Sequence, residues 1–453
     1  MTTATTPLAD VRARVSGGLA AHLPEHLARL AWDDERLVAH QRDRLRALVG
    51  HARERSQFHA RRLGGIEIDD PGDLACLPVM TKRELMDHFD EVLTDPRLTR
   101  RRVEEHLAAS ATAPALLLDE YVCLASGGSS GVRGLFVQSV DEYAQFGAGI
   151  VRRPLARLQT AGGPPPGGLL VAMLAAASPV HSTAFGSSTA TAGPVRFVSI
   201  PVTLPLAEIV DRLNALRPPA LQGYATKLAQ LGREQRAGRL RISPVSVTST
   251  SELLTAEDRH AVETAFGVPV VDQFAATEGM VGHSEPGERS ITMATDLAIV
   301  EPVDAANRPV PAGAPSGKVL VTNLHNLTLP LIRFEVTDRF VAENAALGQG
   351  FLRATVAGRT DEVLRYGDVE IHPIAIRSVM VKMPAIGEYQ VRQTERGVDV
   401  SVADALIDEA ALRAALVASL RGAGLDGPEA TVRRVAEIAR HPQTGKVSRF
   451  LPR

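Results

Sequence analysis

The residues best suited to chemistry fall in four short segments in a fixed order. They are ASGGSSGVRG (residues 125–134), DQFAATEG (272–279), GRTDE (358–362) and HPQTGKVSR (441–449). A run of small residues such as Ser126, Gly128, Ser129, Ser130 and Gly131 exposes backbone N–H groups to a phosphate. No Gly-Lys-Ser/Thr closes this run, so it is not a Walker loop, and phosphate would rest on backbone N–H groups and the Ser129 and Ser130 hydroxyls. Glu278 is an acid that can hold Mg²⁺ together with ATP, and Asp338, after the apolar run LPLIRF, is one that can accept both hydroxyls of a ribose. Lys446 can neutralise charge developing on an α-phosphate. Each segment alone is weak, but the four in this order read as an ATP-using, adenylating site.

Two other readings compete. GGSSG (127–131) satisfies G-x-S-x-G, the nucleophile elbow of serine hydrolases, with Ser129 as the nucleophile. An elbow needs a helix directly after its serine, whereas LFVQS (135–139) reads as strand. Loss of turnover and of fluorophosphonate labelling in Ser129→Ala would mark the hydrolase. A nucleotide-binding module without catalysis is the other rival, and the joint presence of Glu278, Asp338, Arg359 and Lys446 argues against it. GAG (147–149) lacks the third glycine and the preceding strand of a dinucleotide fingerprint. His181, flanked by apolar residues, reads either as a packed core histidine or as a residue that lines or gates an acid pocket.

The elements that must position these residues alternate. Helical periodicity runs from about residue 20 to 65, and Thr81 caps a helix expected through Phe89. Strands at 121–125 and 135–139 flank the Gly/Ser loop, followed by a helix over about 141–153, the connector GGPPPGG (162–168) and a strand from Leu169. Helices at 206–216, 226–236 and after Thr255 to Phe266 alternate with strands at 245–248 and 268–274, the last ending at Glu278. This pattern predicts a largely parallel sheet covered on both faces. From 318 to 338 the chain turns β-rich, and the polar GRTDE places a boundary near Asp361.

The expected architecture is therefore α/β: a large N-terminal domain of helix-covered sheets over 1–360, and a small mobile α+β lid over 361–453 that carries Lys446. With 453 residues the chain exceeds the roughly 250–300 residues at which one core stops growing. A net charge of −2 leaves no footprint for nucleic acid or an anionic membrane, so the expected partner is a small molecule. Two cysteines, Cys76 and Cys123, are too few for a disulfide framework. The N-terminus has no apolar signal core, and the longest apolar run, 169–177, falls short of the roughly 18 residues a span needs, so a cytoplasmic protein is expected. Among 50 basic residues only five are lysines, which makes Lys446 in its Gly-Lys turn harder to dismiss as a solvated surface residue.

These motifs resemble the adenylate-forming superfamily of acyl-CoA synthetases, peptide-synthetase adenylation domains and luciferases. HARERSQFHARRL, LPVMTKREL and LPLAEIVDRLNALRPPALQGYATKLAQL resemble its phenylacetate-CoA ligase branch over nearly the whole chain. The resemblance implies that Ser126, Gly128, Ser129, Ser130 and Gly131 form the phosphate loop. It implies that Glu252, Asp272, Phe274, Ala275, Asp338 and Arg359 surround the nucleotide, with Phe274 and Ala275 replacing a usual Tyr and Gly. Thr277 and Glu278 would meet the α-phosphate and Mg²⁺, Asp361 would be the hinge, Lys446 the adenylation lysine, and His181, Gly223, Tyr224 and Ala276 would line the acid pocket.

The activity implied is ATP- and Mg²⁺-dependent activation of a small, aromatic carboxylic acid to an acyl-AMP, then thioester formation with CoA. Relatives that pass the acyl group to an amine, or that activate nitrite to diazotise an aryl amine, are the alternatives. Gly367 and Asp368 stand where an Arg-Gly pair is usual beside pantetheine, which weighs against CoA. A homodimer is compatible with the resemblance.

Overall fold

The computed structural model describes residues 6–126, 134–163, 165, 167–189, 195–343, 350–371, 373–380, 383, 386, 388–403, 407–441 and 445–453. Gly128, Ser129, Ser130 and Gly131 lie outside the described residues. The large sheet has nine strands, and it is mixed rather than largely parallel. Its parallel half runs Val195–Pro201, Leu169–Ala175, Ala220–Tyr224, Ser246–Thr250, Val270–Ala275. The other half continues antiparallel through Val281–Ser284, Ile291–Met293, Arg353–Arg359 and Asp338–Ala342. The change of direction follows from connection length. The helices Leu206–Leu216, Ala225–Arg236 and Ala256–Phe266 return the chain between parallel strands, whereas five residues, 276–280, join Ala275 to Val281 and suffice only for a hairpin.

One face of the parallel half is closed by those three helices. Leu174, Leu221, Val247 and Val270 point into a core with Ile209, Leu213, Leu228, Leu231 and Val262. On the other face lie the helices Val140–Thr160 and Ser182–Thr189, with Tyr143, Phe146 and Phe185 packed together with Val281 and Leu297. The helix expected to end near Arg153 runs to Thr160 with Pro154 inside it. Its start is fixed by a capping box in which Ser139 accepts from the Glu142 N–H and Glu142 accepts from the Ser139 N–H. The same Glu142 carboxylate accepts from the Leu327 and Thr328 N–H groups, tying the helix to a distant loop.

The N-terminal helices begin earlier than periodicity predicts, at Leu8–Ala28, followed by Asp34–Arg55 and Gln57–Arg62. Only Val11, Val15, Ser16 and His26 of the first helix are buried, too sparse a stripe among Ala and Gly to read from sequence. The helix capped by Thr81 ends at Asp87, and a separate turn, Phe89–Val92, follows across His88. Residues 364–450 build a core of their own from Leu364, Ile376, Val391, Val400, Leu412, Leu416 and Val432. It is α+β, with the helices Pro373–Met380 and Glu409–Gly422 and the strand order Glu429–Val435, Gly397–Ala403, Glu388–Gln393, Phe450–Leu451. Among the described residues no helix is long and apolar enough to cross a membrane.

A buried ion cluster joins three parts of this scaffold. Asp296 accepts two hydrogen bonds from Arg152, at 2.7 and 2.5 Å, and one from Arg29 at 3.3 Å. Burial would raise the Asp296 carboxyl, but the two guanidiniums hold it far below the usual carboxylate range. Removing one partner leaves charges buried and uncompensated. Asp296→Ala is therefore expected to lower stability by about 3–5 kcal/mol in urea unfolding at neutral pH. The contribution is present above the unfolded-state value and is lost as the folded carboxylate protonates, so the deficit shrinks only in strong acid.

Candidate active site

The Gly/Ser segment is held at its two ends by an antiparallel pair, Tyr121–Ala125 with Leu135–Ser139, in which Ala125 faces Leu135. The mouth is pinned further: Ser126 N–H donates to the Gly134 carbonyl, and Gly134 N–H donates to Ser126 Oγ, both at 2.9 Å. Strand, not helix, follows the loop, so the elbow geometry of a serine hydrolase is not built here.

Glu278 lies in the turn after the strand Val270–Ala275, not at the strand end. Ala276 N–H donates to the Met280 carbonyl, and Gly279 N–H donates to the Ala276 carbonyl. Gly279 has φ +105°, and a Cβ there would stand 2.0 Å from Asn323 Nδ2. The missing side chain lets Asn323 donate to the Glu278 carbonyl at 3.1 Å, fixing the acid's backbone. The Glu278 carboxylate accepts from Thr277 Oγ1 at 3.3 Å and stands 3.8 Å from Lys82 Nζ. Phe274 sits edge to face on Phe340, 5.4 Å between centroids, and Ala276 packs on the same core.

Asp338 and Arg359 are direct cross-strand partners, with 4.0 Å between Arg359 Nη1 and Asp338 Oδ2. Burial raises the Asp338 carboxyl, against the pull of Arg359. Arg359 also makes two hydrogen bonds to Asp361, at 2.8 and 2.9 Å, and donates to Thr337 Oγ1 at 2.6 Å. Burial lowers the guanidinium, but Asp338 and Asp361 outweigh it and hold it above its usual value. Asp361, in the short turn Thr360–Glu362, is thus tied to Arg359.

Lys446 comes to this cluster from the far end of the chain. Gly445, at φ +69°, turns the backbone against Val202, whose Cγ2 would lie 2.1 Å from an added Cβ. Val447 N–H donates to Glu252 Oε1 at 3.1 Å, and Arg449 holds Asp258 by two contacts of 2.9 and 3.1 Å. Lys446 Nζ stands 5.9 Å above the Tyr224 ring. Lys446 is an exposed residue, but desolvation of its ammonium beside these groups lowers it, Glu252, Asp338 and Glu278 pull the other way, and Arg359 adds to the lowering. Glu252 also accepts from Thr226 N–H and Oγ1, so its carboxylate joins the helix Ala225–Arg236 to the C-terminal segment.

Other residues singled out in the sequence are placed apart. His181 Nδ1 lies 3.2 Å from the Ala125 carbonyl, beside the loop mouth. Tyr224 is buried, bonded to Thr183 and to the backbone of Ala176, and its hydroxyl is pushed up to about 12 by desolvation. Gly223 backs onto Leu174 in the helix-covered core. Asp272 is not gathered with Glu278, Asp338 and Lys446. Its N–H donates to Ser284 Oγ, its carboxyl is raised to about 7 by burial, and Arg259 is the charge near it. Lys82 and Asn323 were not foreseen as site residues, although Lys82 stands in MTKREL as one of five lysines. Among the described residues no group of three or more His, Cys, Asp or Glu is placed to hold a metal ion.

No family model matches the chain. Its sequence is 27% identical to Protein CapK of Staphylococcus aureus over 139 residues, 30% of this chain and 29% of that protein. It is 24% identical to a phenylacetate-coenzyme A ligase of Thermus thermophilus over 384 residues, 79% of this chain and 78% of the relative. A solved 2-hydroxyisobutyryl-CoA ligase in the postadenylation state, bound to an acyl-AMP, superposes with a TM-score of 0.65 at 19% identity, covering 93% of this chain and 89% of that one. Against the same ligase in the thioesterification state the TM-score is 0.55. The chain shares its fold with this solved CoA ligase, as the sequence resemblance implied, and its relatives include a phenylacetate-coenzyme A ligase.

Two outcomes follow from the local geometry. Gly279→Ala forces a left-handed backbone onto alanine and displaces Asn323, and is expected to cost about 1–3 kcal/mol or more in urea unfolding. Asp272 favours its protonated form in the folded state, so the wild type loses stability as pH rises from about 4 towards 7. Asp272→Asn is expected to leave stability nearly unchanged at pH 4 and to raise it by about 2–4 kcal/mol at pH 8.

Proposed function

We propose that the chain is an ATP-dependent adenylate-forming ligase that activates a small carboxylic acid and then transfers its acyl group. The observation that carries this reading is the ammonium of Lys446, brought by the C-terminal segment into the field of the carboxylates of Glu252, Glu278 and Asp338 while the residue stays accessible. An ATP α-phosphate placed beside Ser126, Thr277 and Lys446 would be met by that ammonium.

In the first step a carboxylate oxygen of the acid attacks the α-phosphorus, the bond to the β-phosphate oxygen breaks, and pyrophosphate leaves. Lys446 and Thr277 stabilise the negative charge that grows on the α-phosphate oxygens. Asp338 accepts the ribose hydroxyls while Arg359 holds Asp338 in place, and Phe274 with Ala275 forms the wall against the base. Mg²⁺ arriving with ATP would be held by Glu278, because this ion keeps most of its waters and needs only one or two protein carboxylates beside the phosphates. Lys82, now near Glu278, balances that carboxylate when no cation is present.

In the second step residues 361–453 turn about Asp361, which removes Lys446 and opens the acyl carbonyl to a nucleophile. A thiol attacks the carbonyl, the carbon–oxygen bond to AMP breaks, and the thiol proton is released. CoA is the first choice of acceptor and an aromatic acid the first choice of substrate. Gly367, at φ +59°, and the exposed Asp368 form the tight turn between Leu364–Tyr366 and Val369–Ile371, which puts a negative charge where pantetheine would pass. That turn favours an amine as the second choice. The setting is cytoplasmic, where ATP and CoA are available.

The test is pyrophosphate release from ATP and Mg²⁺ over a panel of aryl acids, fatty acids, amino acids and nitrite, each with and without CoA or an aryl amine. Release that depends on a carboxylic acid and rises with CoA is expected. Release only with nitrite, or only with an amine, would contradict the acyl-CoA reading. Lys446→Ala is expected to slow acid-dependent release by about 10²–10³-fold, with no loss of stability in urea unfolding.

A further inference from the structure

The sequence resemblance assigns Tyr224 and Ala276 to the acid pocket, and the sheet face beside Tyr224 carries polar side chains. On the face of the parallel sheet turned away from the helices Leu206–Leu216, Ala225–Arg236 and Ala256–Phe266, strand alternation places Gln222, Thr248, Thr250 and Gln273 side by side. The helix Ser182–Thr189 covers this face at Leu169–Ala175 and Val195–Pro201, and Val140–Thr160 covers it at Val281–Ser284. The polar positions lie on the central strands between the two helices, in line with Ala276 and Tyr224 at the carboxyl ends. Met173, the register partner of Gln222, supplies an apolar flank.

Gln222 reaches across the strand Ser246–Thr250 and its Nε2 donates to Gln273 Oε1 at 3.1 Å. The bond fixes both amides and leaves one amide oxygen and one amide NH₂ group over. Neither has a hydrogen-bond partner among the described residues, and neither is sealed from solvent space as the unpaired Nε2 of neighbouring His283 is. If both amides are turned over the bond reverses, but the remainder is still one acceptor and one donor. A hydrocarbon acid would cover these groups and leave them unpaired, at about 1–3 kcal/mol for each.

We propose that the Gln222–Gln273 amide pair reads a hydroxyl, amino or amide substituent on the body of the acid, so that the substrate is a polar-substituted acid and not a plain aryl or alkyl one. This rests on the adenylating function argued above. The acid's carboxylate lies toward Lys446 and its substituent toward the amide pair. A hydroxyl there accepts from the free NH₂ and donates to the free oxygen at once. Sites built to hydrogen-bond a substrate group discriminate against the analogue lacking it far more strongly than apolar pockets discriminate by size.

Acid-dependent pyrophosphate release from the full chain, measured as kcat/KM over pairs of acids that differ by a single hydroxyl, amino or amide group, decides the matter. The expected result is a preference of at least about 100-fold for the substituted member of one pair. Gln222→Leu and Gln273→Leu should each reduce that preference at least about tenfold while the KM for ATP stays unchanged. Should either leucine variant fail to fold, the wild-type ratio and Gln222→Asn, which keeps the amide but cannot span to Gln273, give the same readout. Equal use of both members in every pair, or a preference untouched by the variants, overturns the proposal and leaves the adenylating function standing. Silence with every acid, with or without acceptor, overturns that function and this proposal with it.

Discussion

One ammonium and the three carboxylates around it organise the site. Lys446 is carried on a segment held to the rest of the site by polar bonds and by close backbone packing. Val447 is bound to Glu252, Arg449 to Asp258, and Gly445 is pressed on Val202. Desolvation lowers this ammonium below its usual value, and Glu252, Asp338 and Glu278 pull against that shift. Each of these acids is itself fixed from behind. Glu252 is bound by Thr226, Asp338 lies opposite Arg359, and Glu278 is set in a hairpin turn that only Gly279 permits. The acids are thus positioned by backbone and neighbour, and the lysine by the acids.

The mixed sheet serves this arrangement. Its parallel half ends at Tyr224, Thr250 and Ala275, the usual place for ligands in an open α/β sheet. Its antiparallel half turns back through residues 276–280 and brings Asp338 and Arg359 to the sheet edge. The two halves meet at Glu278. The Gly/Ser segment stands apart on its own hairpin, and the C-terminal core of residues 364–450 reaches over with Lys446.

Much of this was legible in the sequence because the signals were local. Thr81 and Thr255 cap helices where they were expected to, and the strands around the Gly/Ser segment have the expected bounds. Signals set by tertiary contact were not legible. The first helix buries too narrow a stripe to show a period, and the antiparallel half of the sheet depends on a turn whose tightness is enforced by Asn323. Lys82 meets Glu278 across nearly two hundred residues of chain, and Gln222 meets Gln273 across an intervening strand. Asp272, grouped by its segment with Glu278, lies within the strand with Arg259 as the charge near it, whereas Glu278 lies in the turn beyond.

The most direct test of the central claim is the fate of a carboxylate oxygen. The acid found to support pyrophosphate release is supplied with ¹⁸O in its carboxyl group, together with ATP and an acceptor, and the AMP formed is weighed by mass spectrometry. Attack on the α-phosphorus at the Lys446 site predicts one ¹⁸O atom in each AMP. Unlabelled AMP, or label found in inorganic phosphate instead, would contradict an acyl-adenylate and with it the role assigned to Lys446.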